Sequence, residues 1–202
     1  LTELPITFVP SHFHYDHTGN QVTFERVAVV DLPRLRSRAK DNQLTLTWSE
    51  HLGSMEGIET PTLHITEWLP IGSEIDLGGR KLRVLYTPGH TNDSISLLDT
   101  SNGLLFSGDF IYPRPLYAFL PNSSLKEYLE GSNNILRETE TNNPIFGAHR
   151  DSPPGIPTLS TADVLALQRT LISIRDGAAT GEGLYPRTYK VNERIDLLTE
   201  PP

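Results

Sequence analysis

Ser11-His12-Phe13-His14-Tyr15-Asp16-His17-Thr18-Gly19-Asn20 places three imidazoles and one carboxylate within six positions, His12 to His17. The run follows Pro5 to Val9, an apolar segment that reads as a short buried strand ending at Pro10. Extended backbone past that strand puts His12 and His14 on one side. Asp16 and His17 then need a turn to reach a neighbouring point. The stretch therefore offers two adjacent sets of metal donors rather than one.

The rest of the chain limits what those donors can hold. It contains no cysteine, so disulfides, thiolate nucleophiles and thiolate metal sites are excluded. A metal must be bound by imidazole and carboxylate, which zinc accepts. Four other histidines exist: His51, His64, His90 and His149. His90 lies in Thr87-Pro88-Gly89-His90-Thr91, directly after the strand expected over Lys81 to Tyr86. His149 lies in Gly147-Ala148-His149-Arg150, after the Pro144 to Phe146 run, and Asp109 follows the strand expected over Leu104 to Ser107. Side chains at strand ends of α/β sheets commonly converge on one crevice. His51 and His64 match no pattern and are expected to be surface histidines or hydrogen-bonded core histidines.

HxHxDH at His12, His14, Asp16 and His17, TPGHT around His90, GD at Asp109 and a late glycine-flanked His149 resemble, in order, the metallo-β-lactamase superfamily. The resemblance implies an α/β fold, a four-layer αβ/βα sandwich with metals at the edge between two sheets. It implies two zinc ions per chain. His12, His14 and His90 would bind the first, and Asp16, His17 and His149 the second, with Asp109 bridging both. Members of the family carry further strands before HxHxDH, whereas eleven residues precede His12 here. Part of the N-terminal sheet is therefore expected to be missing from an otherwise single domain over residues 1–202.

The same resemblance implies a binuclear zinc hydrolase of a small ester-type substrate. The nucleophile would be a water whose pKa zinc lowers to about 7. Aspartate at 109, where one β-lactamase branch has cysteine, is similar to the glyoxalase II, lactonase and thioesterase branches. A thioester is the leading substrate. A lactonase or β-lactamase-like enzyme, a mononuclear iron oxygen-dependent enzyme of the same fold and a metal-stabilised binding domain are the alternatives. Asp16 is expected to orient the nucleophile or take its proton as well as bind metal. Tyr112, three residues after Asp109, is either a donor to the substrate oxygen or a packed aromatic. Phe110, Ile111, Tyr112, Leu116, Tyr117, Phe119 and Leu120 form an apolar stretch that suits either a greasy substrate wall or core. Arg114 and Arg150 are available for an anionic substrate group or for surface ion pairs.

Further out, the patterning alternates strands and helices. Strands are expected over Glu25 to Val30, Leu63 to Leu69, Glu74 to Leu77 and Ser94 to Leu98, with Gly78-Gly79 and Asn102-Gly103 as turns. A short helix is expected within residues 31–40. Ser124-x-x-Glu127 is a capping-box pattern that opens a longer one, although Gly131 weakens it. Val164, Leu167, Leu171 and Ile174 recur at helical spacing between Thr161 and Asp176. The tail, Leu184 to Leu198, holds further candidate strands.

Net charge is −8, which disfavours a phosphate-backbone partner. Arg34, Arg36, Arg38 and Lys40 are read as a solvated face, so the expected partner is a small molecule, with no nucleic acid and no membrane. No apolar run has a bilayer's length and no leader pattern is visible, pointing to the cytoplasm, although the chain begins at Leu1 rather than methionine. Oligomeric state is not legible.

Overall fold

The computed structural model describes residues 3–149, 153 and 155–201. The strands are β1 (Thr7–Phe8), β2 (Arg26–Val30), β3 (Gln43–Thr45), β4 (Thr62–His64), β5 (Glu67–Leu69), β6 (Glu74–Asp76) and β7 (Lys81–Tyr86). They continue as β8 (Ile95–Asp99), β9 (Leu104–Gly108), β10 (Leu116–Ala118), β11 (Pro144–Gly147), β12 (Leu159–Ser160), β13 (Arg187–Lys190) and β14 (Asp196–Thr199). The α-helices are α1 (Tyr15–Thr18), α2 (Pro33–Arg36), α3 (Trp48–His51), α4 (Leu125–Glu138) and α5 (Thr161–Arg175).

Four layers stack through two apolar cores. A six-stranded sheet of order β12-β11-β9-β8-β7-β6 forms one inner layer, and a parallel sheet β1-β2-β5 forms the other. Between them and outward to α2 and the β3–β4 pair lies one core, built from Val27 to Val30, Leu35, Leu44, Leu63, Leu69, Val84 and Ile95. The contiguous apolar run of β2 is buried from Val27 to Val30, as a strand covered on both faces requires. The second core joins the opposite face of the large sheet to α4 and α5, through Leu98, Leu105, Ile145, Tyr128, Ile135, Val164, Leu167 and Leu171. A small sheet, β10-β14-β13, packs on this second core through Leu116 and Leu197.

The expected α/β sandwich is present, and its departures from expectation are local. The Pro5–Val9 strand shortens to two residues, bounded by prolines that cannot donate to a ladder. The single strand expected over Leu63 to Leu69 is two strands in different sheets. The chain changes sheets at Thr66, whose hydroxyl is hydrogen-bonded to the backbone of Val27. The helix α3 was not anticipated, although Thr47-x-x-Glu50 closes as a capping box at its start.

Gly131, a weak point by helix propensity, is required by packing. A Cβ there would lie 2.5 Å from the Pro88 carbonyl oxygen and 2.6 Å from the Phe110 ring. Its absence lets α4 seat directly on the loop that carries His90. Arg34, Arg36 and Arg38 face Glu50, Asp31 and Glu50, so this stretch is a set of ion pairs rather than a free cationic patch. No helix among the described residues is long and apolar enough to cross a membrane.

Candidate metal centre

Strand direction explains why distant residues meet. Strands β7 and β8 are antiparallel, as are β8 and β9, while β9 and β11 are parallel. The C-terminal ends of β7, β9 and β11 therefore lie at one sheet edge, and these ends carry His90, Asp109 and His149. The HxHxDH loop is joined to that edge by a 2.8 Å hydrogen bond from the Ile95 amide to the Ser11 carbonyl. The turn expected after His14 is the one-turn helix α1, which presents Asp16 and His17.

All seven anticipated donors converge, in two groups. His12, His14 and His90 form one, and Asp16, His17, Asp109 and His149 form the other. In the first, His12 Nε2 lies 3.0 Å and His90 Nε2 lies 3.1 Å from His14 Nδ1. Bonds of about 2.0–2.1 Å from a tetrahedral zinc place neighbouring nitrogens about 3.3 Å apart, so these spacings fit one shared cation. In the second, Asp109 Oδ1 is 3.2 Å from His17 Nε2 and Asp109 Oδ2 is 3.1 Å from His149 Nε2. Asp16 Oδ2 is 3.5 Å from both of those imidazole nitrogens. Asp109 Oδ2 also lies 3.7 Å from His90 Nε2, so this carboxylate touches both groups. His17 Nε2 and Asp109 Oδ1 are buried yet make no hydrogen bond within the protein, which suits atoms arranged for a metal.

The electrostatics of the two groups differ. Burial, then the neighbouring imidazoles, lowers His12 and takes His14 down to about 3. Burial also lowers His90, against the opposing pull of Asp109. Burial works against charge on His17 too, but the Asp109 and Asp16 carboxylates beside its Nε2 raise it to about 9. The same carboxylates lift His149 to about 10. In return His149 and His17 hold the Asp16 and Asp109 carboxyls far below the usual range, despite burial that would raise them.

Orientation of the donors comes from the residues around them. His90 donates its Nδ1–H to the Tyr117 carbonyl at 2.8 Å, which leaves Nε2 facing the first group. The Ser123 hydroxyl donates to the His90 carbonyl at 2.7 Å.

Five of the donors, His14, Asp16, His90, Asp109 and His149, floor a cavity of about 360 Å³ whose walls include Tyr15, Leu52, Tyr112, Pro115, Tyr117 and Leu120. The apolar stretch is thus divided: Phe110, Ile111 and Leu116 are core, while Tyr112, Tyr117 and Leu120 reach the cavity. Tyr112 packs edge-on to His149, with centroids 5.1 Å apart, and its hydroxyl donates to the Pro115 carbonyl at 2.9 Å. Arg114 is at the cavity wall, and Arg150 lies outside the described residues. His64 is exposed. His51 is buried with neither ring nitrogen hydrogen-bonded, which corrects both environments expected for it.

The metallo-beta-lactamase superfamily sequence model matches residues 9–174. The chain belongs to this superfamily. It is 35% identical over 137 residues to the acyl-coenzyme A thioesterase MBLAC2 of Homo sapiens, covering 62% of this chain and 48% of that protein. The chain thus spans about half the length of the curated relative it matches. Among solved structures, a metallo-beta-lactamase from Pontibacter korlensis superposes with a TM-score of 0.56 at 17% identity, covering 84% of this chain and 71% of the other. TTHA1623 in a di-iron-bound form gives 0.53 at 20% identity, covering 76% and 73%. These two show the shared fold.

Proposed function

We propose that residues 1–202 form one catalytic domain of a metal-dependent hydrolase that holds two zinc ions and cleaves a small thioester. The carrying observation is the pair of donor groups sharing Asp109 at the floor of a cavity with apolar walls. Similarity to a thioesterase over the matched residues favours a thioester over a lactone or β-lactam.

His12, His14 and His90 would hold the first ion, and Asp16, His17 and His149 the second, with Asp109 between. Bound there, divalent cations supply Lewis acidity and bring the ionisation of water toward neutral pH. The protein does the rest. Asp16, the more exposed of the two carboxylates, is the group that orients water and accepts its proton. Leu52, Tyr117 and Leu120 take the apolar part of the substrate and exclude solvent. Tyr112 shapes the wall beside His149, and its hydroxyl serves a substrate oxygen only by exchanging its bond to Pro115.

A donor set of nitrogen and oxygen alone also accepts iron, so the test has two arms. Purified protein is analysed for metals, then assayed against acyl-coenzyme A thioesters, a lactone and a chromogenic β-lactam. The reading expects zinc and thioester cleavage. Iron with no hydrolysis of any of the three would overturn it.

A further inference from the structure

Ser11 precedes the first ligand, and its hydroxyl faces both halves of the centre. Ser11 Oγ lies 3.1 Å from His12 Nδ1 and 3.4 Å from His17 Nδ1. His12 and His17 belong to different donor groups, and each points Nε2 into its own group. An imidazole that offers Nε2 as a lone pair carries its proton on Nδ1. Both contacts to Ser11 are then N–H donors, and a serine oxygen has two lone pairs to receive them.

Space for this arrangement is made by Gly108, next to the shared ligand Asp109. A Cβ at position 108 would lie 2.5 Å from both Cβ and Oγ of Ser11, and the backbone there has φ +53°. Glycine is the residue that takes this conformation at no steric cost. The Ser11 carbonyl is also fixed, by the Ile95 amide, so the backbone that carries the hydroxyl is held against the large sheet.

We propose that Ser11 is a positioning residue common to both metal sites: one oxygen accepts Nδ1–H from His12 and from His17 and so fixes the tautomer and ring angle of a ligand on each side. This rests on the two-metal reading. Whether the substrate is a thioester, a lactone or a β-lactam does not enter it, because the contacts are to His12 and His17 alone.

The test is zinc affinity, measured by competition with a chromophoric chelator, on wild type, Ser11→Ala and Ser11→Thr. Cobalt-substituted visible spectra and the thermal midpoint of each metal-free protein are recorded alongside. Loss of such an outer partner typically weakens metal binding about 10- to 100-fold. Ser11→Ala is expected to show that loss at both sites, with a changed cobalt spectrum and an unchanged metal-free midpoint. Ser11→Thr, which keeps the hydroxyl, is expected to stay within a few-fold of wild type. Ser11→Ala binding two ions as tightly as wild type would overturn the proposal, as would weakening at one site only. Equal losses in both variants with lowered metal-free midpoints would assign Ser11 to packing and overturn it too. Wild type binding fewer than two zinc ions would instead remove the two-metal reading beneath it.

Discussion

The Tyr112 hydroxyl donates to the Pro115 carbonyl at 2.9 Å while the Tyr112 ring packs on His149. A donor to the substrate must have its proton available, and this proton is already engaged. Tyr112→Phe is therefore expected to leave kcat within about three-fold of wild type, because an oxyanion donor would be worth about 100-fold or more. Stability should fall by at most about 1 kcal/mol, one ordinary hydrogen bond whose acceptor can be rewetted. Steady-state kinetics and chemical denaturation of the variant check both numbers. A large fall in kcat at constant KM would return Tyr112 to the chemistry.

The two donor groups should load metal with different pH dependence. In the metal-free protein His12, His14 and His90 are held neutral at pH 7, whereas His17 and His149, raised to about 9 and about 10, carry protons. Zinc must displace those protons. The first site should bind with nearly constant affinity above about pH 7, where its imidazoles are already neutral. The second should release two protons at pH 7, and its affinity should rise with pH by about ten-fold per displaced proton per pH unit, for both protons up to about 9 and for the His149 proton alone up to about 10. Zinc titration in weak buffer with a pH indicator reads the release directly. Equal proton release in the two steps would contradict this assignment.

Asp93 supplies a stability prediction outside the ligands. It is fully buried, and neither carboxylate oxygen makes a hydrogen bond. Burial pushes its carboxyl up from 3.8 to about 6, against the pull of Arg34. The folded state thus binds this proton more tightly than the unfolded chain. The associated stability is present below about pH 4 and is lost as pH rises through about 6. Relative to Asp93→Asn, metal-free wild type should lose roughly 2–3 kcal/mol between pH 4 and pH 7. Denaturant titrations of both proteins at four pH values test this. A constant difference would mean that Asp93 ionises without penalty.

Much of the centre was legible because its signal is carried by side chains at fixed offsets. Strand periodicity placed His90, Asp109 and His149 at strand ends, and the resemblance carried by HxHxDH, TPGHT and GD joined them to His12, His14, Asp16 and His17 as one set. What escaped reading is carried by backbone or by short local structure. The Tyr117 carbonyl that orients His90 has no sequence mark, since every residue has a carbonyl. Leu52 reaches the cavity from a left-handed position, φ 59°, at the end of the four-residue helix α3, an element too short for periodicity to detect. The Thr47-x-x-Glu50 box was its available signal. The break at Thr66 was hidden because apolar residues continue on both sides while the strands belong to different sheets. The packing role of Gly131 was hidden for a similar reason: propensity is local, and the contact with Pro88 is not.

The central claim is that two ions are shared through one carboxylate, and zinc counting on matched proteins tests it most directly. Elemental analysis of wild type, His14→Ala and Asp109→Asn, each dialysed against the same trace-zinc buffer, should give two zinc ions per chain for wild type and clearly fewer for each variant. Asp109→Asn should weaken both sites, since Asp109 contacts His17, His90 and His149. Wild type holding one ion or none, or Asp109→Asn retaining two, would contradict the account.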